Sequence, residues 1–171
     1  MLLLHDRRRI LHFNVSRHSI SAGVIQQLRE AFLFDPVLDY LIFDRGSSIS
    51  AETIEAVKRF GIQPKRTSFR SLWQNGVAQR WAGNCRRDLL DYVIVLNKRH
   101  LKCLMNEYVL YFHDDRAHLG LDKQTSVGRV AAKGTNVGSE VASIPRLGGL
   151  HHRYDTGSVS YLSSLFTKSK K

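Results

Sequence analysis

Apolar and polar positions alternate along "RRILHFNVS", which predicts a strand over Arg9–Ser16, with Leu2–His5 as the stub of a hairpin partner. The period then changes. In "SAGVIQQLREAF", Val24, Ile25, Leu28, Ala31 and Phe32 recur on one helical stripe, and Ser19 or Ser21 is placed to cap it. "DYLIFD" is a short apolar run of the kind buried inside a sheet, and it ends on Asp44. Ser50 caps a second helix whose Ile54, Val57 and Phe60 face inward, and Gly61 stops it. "IQPKRTSF" follows as a strand that Pro64 restricts to an edge or an end.

A long helix is expected from about Gln74 to Val95, opened by Ser71 and Gln74 at capping-box spacing. Asn97 caps the next helix. There Leu101, Leu104, Met105, Tyr108, Tyr111 and Phe112 recur at the helical interval and read as a core stripe. Residues 125–139 are rich in Gly, Ser, Thr and Lys and read as a linker. Residues 140–155 read as a hairpin turning around Pro145–Gly149, and residues 156–171 as a disordered basic tail. Strands and helices alternate, so residues 1–124 predict an α/β fold with helices on the faces of a sheet. Chemistry in such sheets gathers at strand ends, where Asp44 stands.

Charge adds a partner class. The 171 residues carry 26 Lys+Arg against 15 Asp+Glu, a net charge of +11. That balance favours polyanions, because basic contacts to phosphates release condensed counterions. Cys85 and Cys103 have no CxxC spacing and no paired histidines, which argues against a disulfide framework or a zinc finger. Leu2–Leu4 is too short for a signal-peptide core, and no run is long enough to span a membrane. A cytoplasmic protein is expected.

The order "LIFDRG … SLWQNGVAQRW … NCRRDLLD" resembles the core of the DDE integrases and insertion-sequence transposases. "HFNVS", "QQLREAF", "TSFR", "YFHDDRAHLGL" and the late "PRLGGLHHRY" are similar to one bacterial group of them. The resemblance runs from about Arg7 to Arg129 and returns at the hairpin. It implies an RNase H-like fold, a mixed sheet with flanking helices, carrying a C-terminal β-hairpin. It also implies DNA integration or transposition chemistry, with three carboxylates holding two Mg2+ ions about 4 Å apart.

Mapped onto this chain, Asp44 matches the second carboxylate and Gln79 occupies the third position. The first has no counterpart, because the resemblance begins inside the strand that should follow it. Asp6 reads as a turn residue and Asp35 precedes Pro36 in a connection, so neither replaces it. Asp88 lies nine residues past Gln79, on the opposite face at about 100° per residue. Catalysis is therefore expected to be lost. The missing first strand would leave unpaired sheet edges, which predicts marginal solubility.

Nucleic-acid contact is expected from Asn75, Gly83 and Arg86, which share the helix face of Gln79, together with Arg70 in the preceding loop. DNA is the expected partner, as transposon ends or target, with assembly into homo-oligomers or with an intact transposase. Arg116 and His118 match an Arg-x-His pattern that closes the family domain, which favours structural hydrogen bonding for that histidine. Trp73 and Trp81 read as packing residues. Besides an inactive core, two further readings stand: a non-enzymatic regulator of an intact transposase, and an active enzyme whose start lies upstream and supplies the first Asp.

Overall fold

The computed structural model describes residues 1–16, 20–32, 38–44, 49–129 and 141–156, the side chains of Leu72 and Thr156 aside. They form a mixed α/β structure in two compact units, Met1–Cys103 and Leu104–Lys171. Among the described residues no helix is long and apolar enough to cross a membrane.

In the first unit Leu2–Leu4 (β1) and Arg9–His12 (β2) pair as an antiparallel hairpin. The second strand stops four residues short of Ser16. Asn14 explains the stop: its side-chain oxygen accepts the Val15 N–H at 2.8 Å, a local bond that competes with a strand ladder. Helix α1, Ser21–Ala31, starts after Ile20 without a side-chain cap. Ser21 is thus its first helical residue, and Ser19 lies outside the described residues.

Tyr40–Phe43 (β3) pairs in parallel with Gln63–Arg66 (β4), and helix α2, Ala51–Arg59, makes the crossover. Ser50 Oγ accepts the Thr53 N–H at 3.3 Å and so caps α2. Gly61, at φ +76°, ends it in a conformation that strains any other residue. Leu28 from α1, Phe32 just after it, Val57 from α2, Phe43 and Ile62 form the core, with Val24, Ala31, Leu41 and Phe60 packed around it.

Strand β3 is less buried than its apolar run implies. Tyr40 is 56% and Ile42 38% exposed. Among the described residues β3 is hydrogen-bonded to β4 alone, so only alternate side chains, Leu41 and Phe43, meet the core.

Helix α3 covers Gly76–Asp88 and is shorter than the expected span from Gln74 to Val95. A 3-10 turn at Leu72–Asn75 precedes it, and another at Leu90–Tyr92 follows. Beyond that come Val93, Ile94 and Val95, β-branched side chains that lose rotamer freedom in a helix. The expected capping box is replaced by a wider contact. Ser71 Oγ donates to the Phe69 carbonyl at 3.2 Å, while Gln74 Oε1 reaches back to accept the Ser68 N–H at 2.6 Å.

Helix α4, Lys98–Asp114, is capped by Asn97, whose Oδ1 accepts the His100 N–H at 2.9 Å. The boundary between the units falls within it. In the second unit Met105, Tyr108 and Phe112 are its buried stripe. Val141–Arg146 (β5) and His151–Thr156 (β6) form an antiparallel hairpin. Pro145 belongs to β5, and the reversal is made by Leu147, Gly148 and Gly149, all at positive φ. His151 stacks on Tyr111 with ring centres 4.7 Å apart. Most of the expected linker and the expected tail lie outside the described residues.

The exposed face of β3, and its edge left without a strand partner among the described residues, favour association through added strands. Ile42→Lys is expected to lower concentration-dependent light scattering of the full chain while moving Tm by only a few degrees. Unchanged scattering would remove this edge as its cause.

Candidate functional site

The parallel register brings the end of β3 beside the start of α3. Phe43 lies opposite Arg66, and the Thr67 N–H donates to the Phe43 carbonyl at 3.0 Å. The chain then reverses through Ser68–Ser71, with Arg70 at φ +56°, and enters α3. This path carries Gln79 back to Asp44, 35 positions away, where its Nε2 donates to Asp44 Oδ2 at 3.4 Å. The second carboxylate oxygen, Oδ1, is buried without a hydrogen-bond partner among the described residues. Buried oxygens in that state are uncommon in folded proteins.

The pair therefore offers one carboxylate and one carboxamide. Gln supplies an oxygen but no charge. Among the described residues no group of three His, Cys, Asp or Glu side chains converges. Asp6 sits in an exposed turn, and Asp35 lies outside the described residues. Asp88 is close enough to Cys85, on the buried side of α3, to perturb its thiol.

The sequence-predicted contact residues are dispersed. Arg70 is exposed, and its guanidinium lies 5.2 Å from the Phe69 ring. Asn75 is half-buried and, with Ala78, lines a cleft of about 460 Å3 shared with Leu2–Leu4 and Tyr40–Ile42. Gly83 is covered from within its own helix: a Cβ there would lie 3.1 Å from Arg87 Nη1. Arg86 has a side chain 77% exposed and a 3.3 Å contact with Asp91, the weak type of surface pair.

Sequence reasoning missed three aromatic faces. Trp81 is buried as expected, but Trp73 is 75% exposed, a correction to its reading as a packing residue. It stands on the short 3-10 turn before α3, which projects it away from the core. Phe69 is 69% exposed, and Lys65 Nζ lies 5.2 Å from the centre of the Tyr40 ring. The signal was present in "SFRSLW", where aromatic and basic residues interleave in a loop. Such surfaces offer both stacking and charge to nucleic acid.

In the second unit His118 is buried. Its Nε2 lies 3.3 Å from the Phe112 carbonyl and 3.1 Å from Ser126 Oγ, and its ring meets Phe112 edge-on at 4.6 Å. Arg116 lies over the Phe112 ring at 5.7 Å. These are hydrogen-bonding and packing contacts of the sort the sequence favoured over metal ligation.

No protein-family model matches the chain, and no curated protein matches it. Among solved structures it is similar to a chain from the cryo-EM structure of the simian T-cell lymphotropic virus intasome in complex with PP2A regulatory subunit B56 gamma. Identity is 15% and the TM-score 0.49; the match covers 84% of this chain and 54% of that one. This chain thus spans about half the length of that neighbour.

Burial, reinforced by Asp88, pushes the Cys85 thiol from 9.0 up to about 11, whereas Cys103 is exposed. The folded value exceeds the unfolded one. Keeping the thiol neutral therefore contributes stability in full below pH 9.0, and the contribution is lost as pH rises through about 11. Iodoacetamide at pH 8 is expected to label Cys103 in the folded chain and Cys85 only after denaturation. Equal labelling rates would contradict this burial.

Proposed function

We propose that the chain is an RNase H-like core of the DDE integrase and transposase type, which binds DNA and neither cuts nor joins it. One observation carries the reading. Asp44 and Gln79, 35 positions apart, meet at 3.4 Å, the convergence that the motif order implies for two members of a carboxylate triad.

The residues at this pair do not fit two magnesium ions. Hard dications take charge-bearing oxygens, chiefly from carboxylates. A two-metal centre needs enough of them to hold both ions between attacking and leaving oxygens. One aspartate with a neutral carboxamide falls short. Binding survives this loss because it rests on other groups: Lys65, Arg70 and Arg86 meet phosphates, Asn75 and Arg87 flank them, and Phe69 and Trp73 supply stacking faces.

The edge of β3 that has no strand partner among the described residues supports a second reading, in which the chain is a non-enzymatic regulator that pairs with an intact transposase. Co-expression separates the two. An inert remnant leaves transposition by the intact relative unchanged, and a regulator lowers it.

The purified chain is expected to retain duplex DNA in a salt-dependent manner without nicking it in magnesium or manganese. Arg70→Glu combined with Arg86→Glu should weaken retention and flatten the salt dependence by about one unit of slope per residue. Full retention by the double variant would exclude this face. Gln79→Glu restores a second carboxylate beside Asp44 and is expected to bind manganese more tightly than the parent chain; equal affinity would break the assignment of Gln79.

A further inference from the structure

At the C-terminal end of α4 the Asp115 side chain is 3% exposed and faces three guanidiniums. Arg146 Nε donates to Oδ2 at 2.5 Å. Arg129 Nη1 and Arg153 Nη1 each lie 3.6 Å from Oδ1, within ion-pair reach but beyond a hydrogen bond. Arg153 Nη2 also donates to Asp155 Oδ2 at 2.6 Å.

The hairpin register explains the gathering. Ile144 lies opposite Arg153 and Ala142 opposite Asp155, so Arg146, Arg153 and Asp155 fall on its less exposed face. Arg129 is held from the chain side, because Thr125 Oγ1 accepts its backbone N–H at 3.0 Å.

Among the described residues the group holds more positive than negative charge: three guanidiniums face two carboxylates. Its hydrogen bonding is also incomplete: among the described residues Asp115 Oδ1 accepts no hydrogen bond and Arg153 Nε is buried without an acceptor. The three arginine side chains remain 27–34% exposed, so solvent and solutes reach them. Several planar forks held together, partly open and charge-rich, suit a phosphate oxyanion.

We propose that Arg129, Arg146 and Arg153 form a phosphate-binding site, with Asp115 as the positioning residue that holds them together before the ligand arrives. The ligand is a phosphodiester of nucleic acid or free phosphate. The site lies outside the Asp44–Gln79 pair and does not depend on the reading of that pair.

Inorganic phosphate titrated into the full chain, at ionic strength held constant with chloride, tests it by calorimetry and by Tm. Saturable binding with a rise in Tm is expected. Arg129→Gln, which removes no hydrogen bond to Asp115, should lose roughly tenfold in affinity with unchanged far-UV circular dichroism. Should that variant fail to fold, Arg153→Lys, which keeps the charge but not the fork, should show a similar weakening. No saturable binding above chloride, or parental affinity in the folded variants, overturns the proposal. A short DNA duplex that displaces phosphate assigns the site to nucleic acid; a duplex that leaves the phosphate isotherm unchanged assigns it to free phosphate. Either result upholds the site.

Discussion

The parallel pairing of Tyr40–Phe43 with Gln63–Arg66 is the constraint on which the first unit depends. A parallel pair needs a crossover, and α2 supplies it. The crossover buries Thr53 and Val57 completely, and Leu28 of α1 with Phe32 just after it closes over the same core. The register then decides where chemistry can occur. It ends β3 at Asp44 and starts the return toward α3 at Thr67, bonded to Phe43. Two side chains remote in sequence come to share a hydrogen bond as a consequence.

Charge governs what that pair can do. In a carboxylate triad, mutual repulsion is relieved by bound cations, and the cations in turn hold phosphate oxygens. At Asp44 the nearest partner donates a hydrogen instead of adding charge. The surface around the connection keeps its basic and aromatic character, with Arg70 beside Phe69 and Lys65 beside Tyr40. Affinity for a polyanion and cleavage of it are separable properties, and the proposed DNA binding rests on this surface and not on the Asp44–Gln79 pair. In the second unit the balance is reversed: at Asp115 guanidiniums outnumber carboxylates.

What could be read from the chain divides along a physical line. Caps and stops are local, so Ser50, Gly61 and Asn97 were legible from their neighbours. The helical stripes of α1 and α4 were legible because burial follows their period. The burial of β3 was not, since it depends on how many strands pair with it. Nor was the end of α3, where residues beyond Asp88 favour other conformations. The exposure of Trp73 followed from a 3-10 turn that apolar pattern does not encode. The proximity of Asp44 and Gln79 came from motif order, because spacing alone says nothing about contacts 35 positions apart. The arginines around Asp115 carried no such signal; Arg146 is 31 positions from it.

Manganese titration of the full chain, followed by electron paramagnetic resonance, bears most directly on the Asp44–Gln79 pair. A spectrum of free aquo-manganese is expected, with no coupled pair of ions at any concentration of the titration. A spin-coupled two-ion signal that disappears in Asp44→Asn would contradict it.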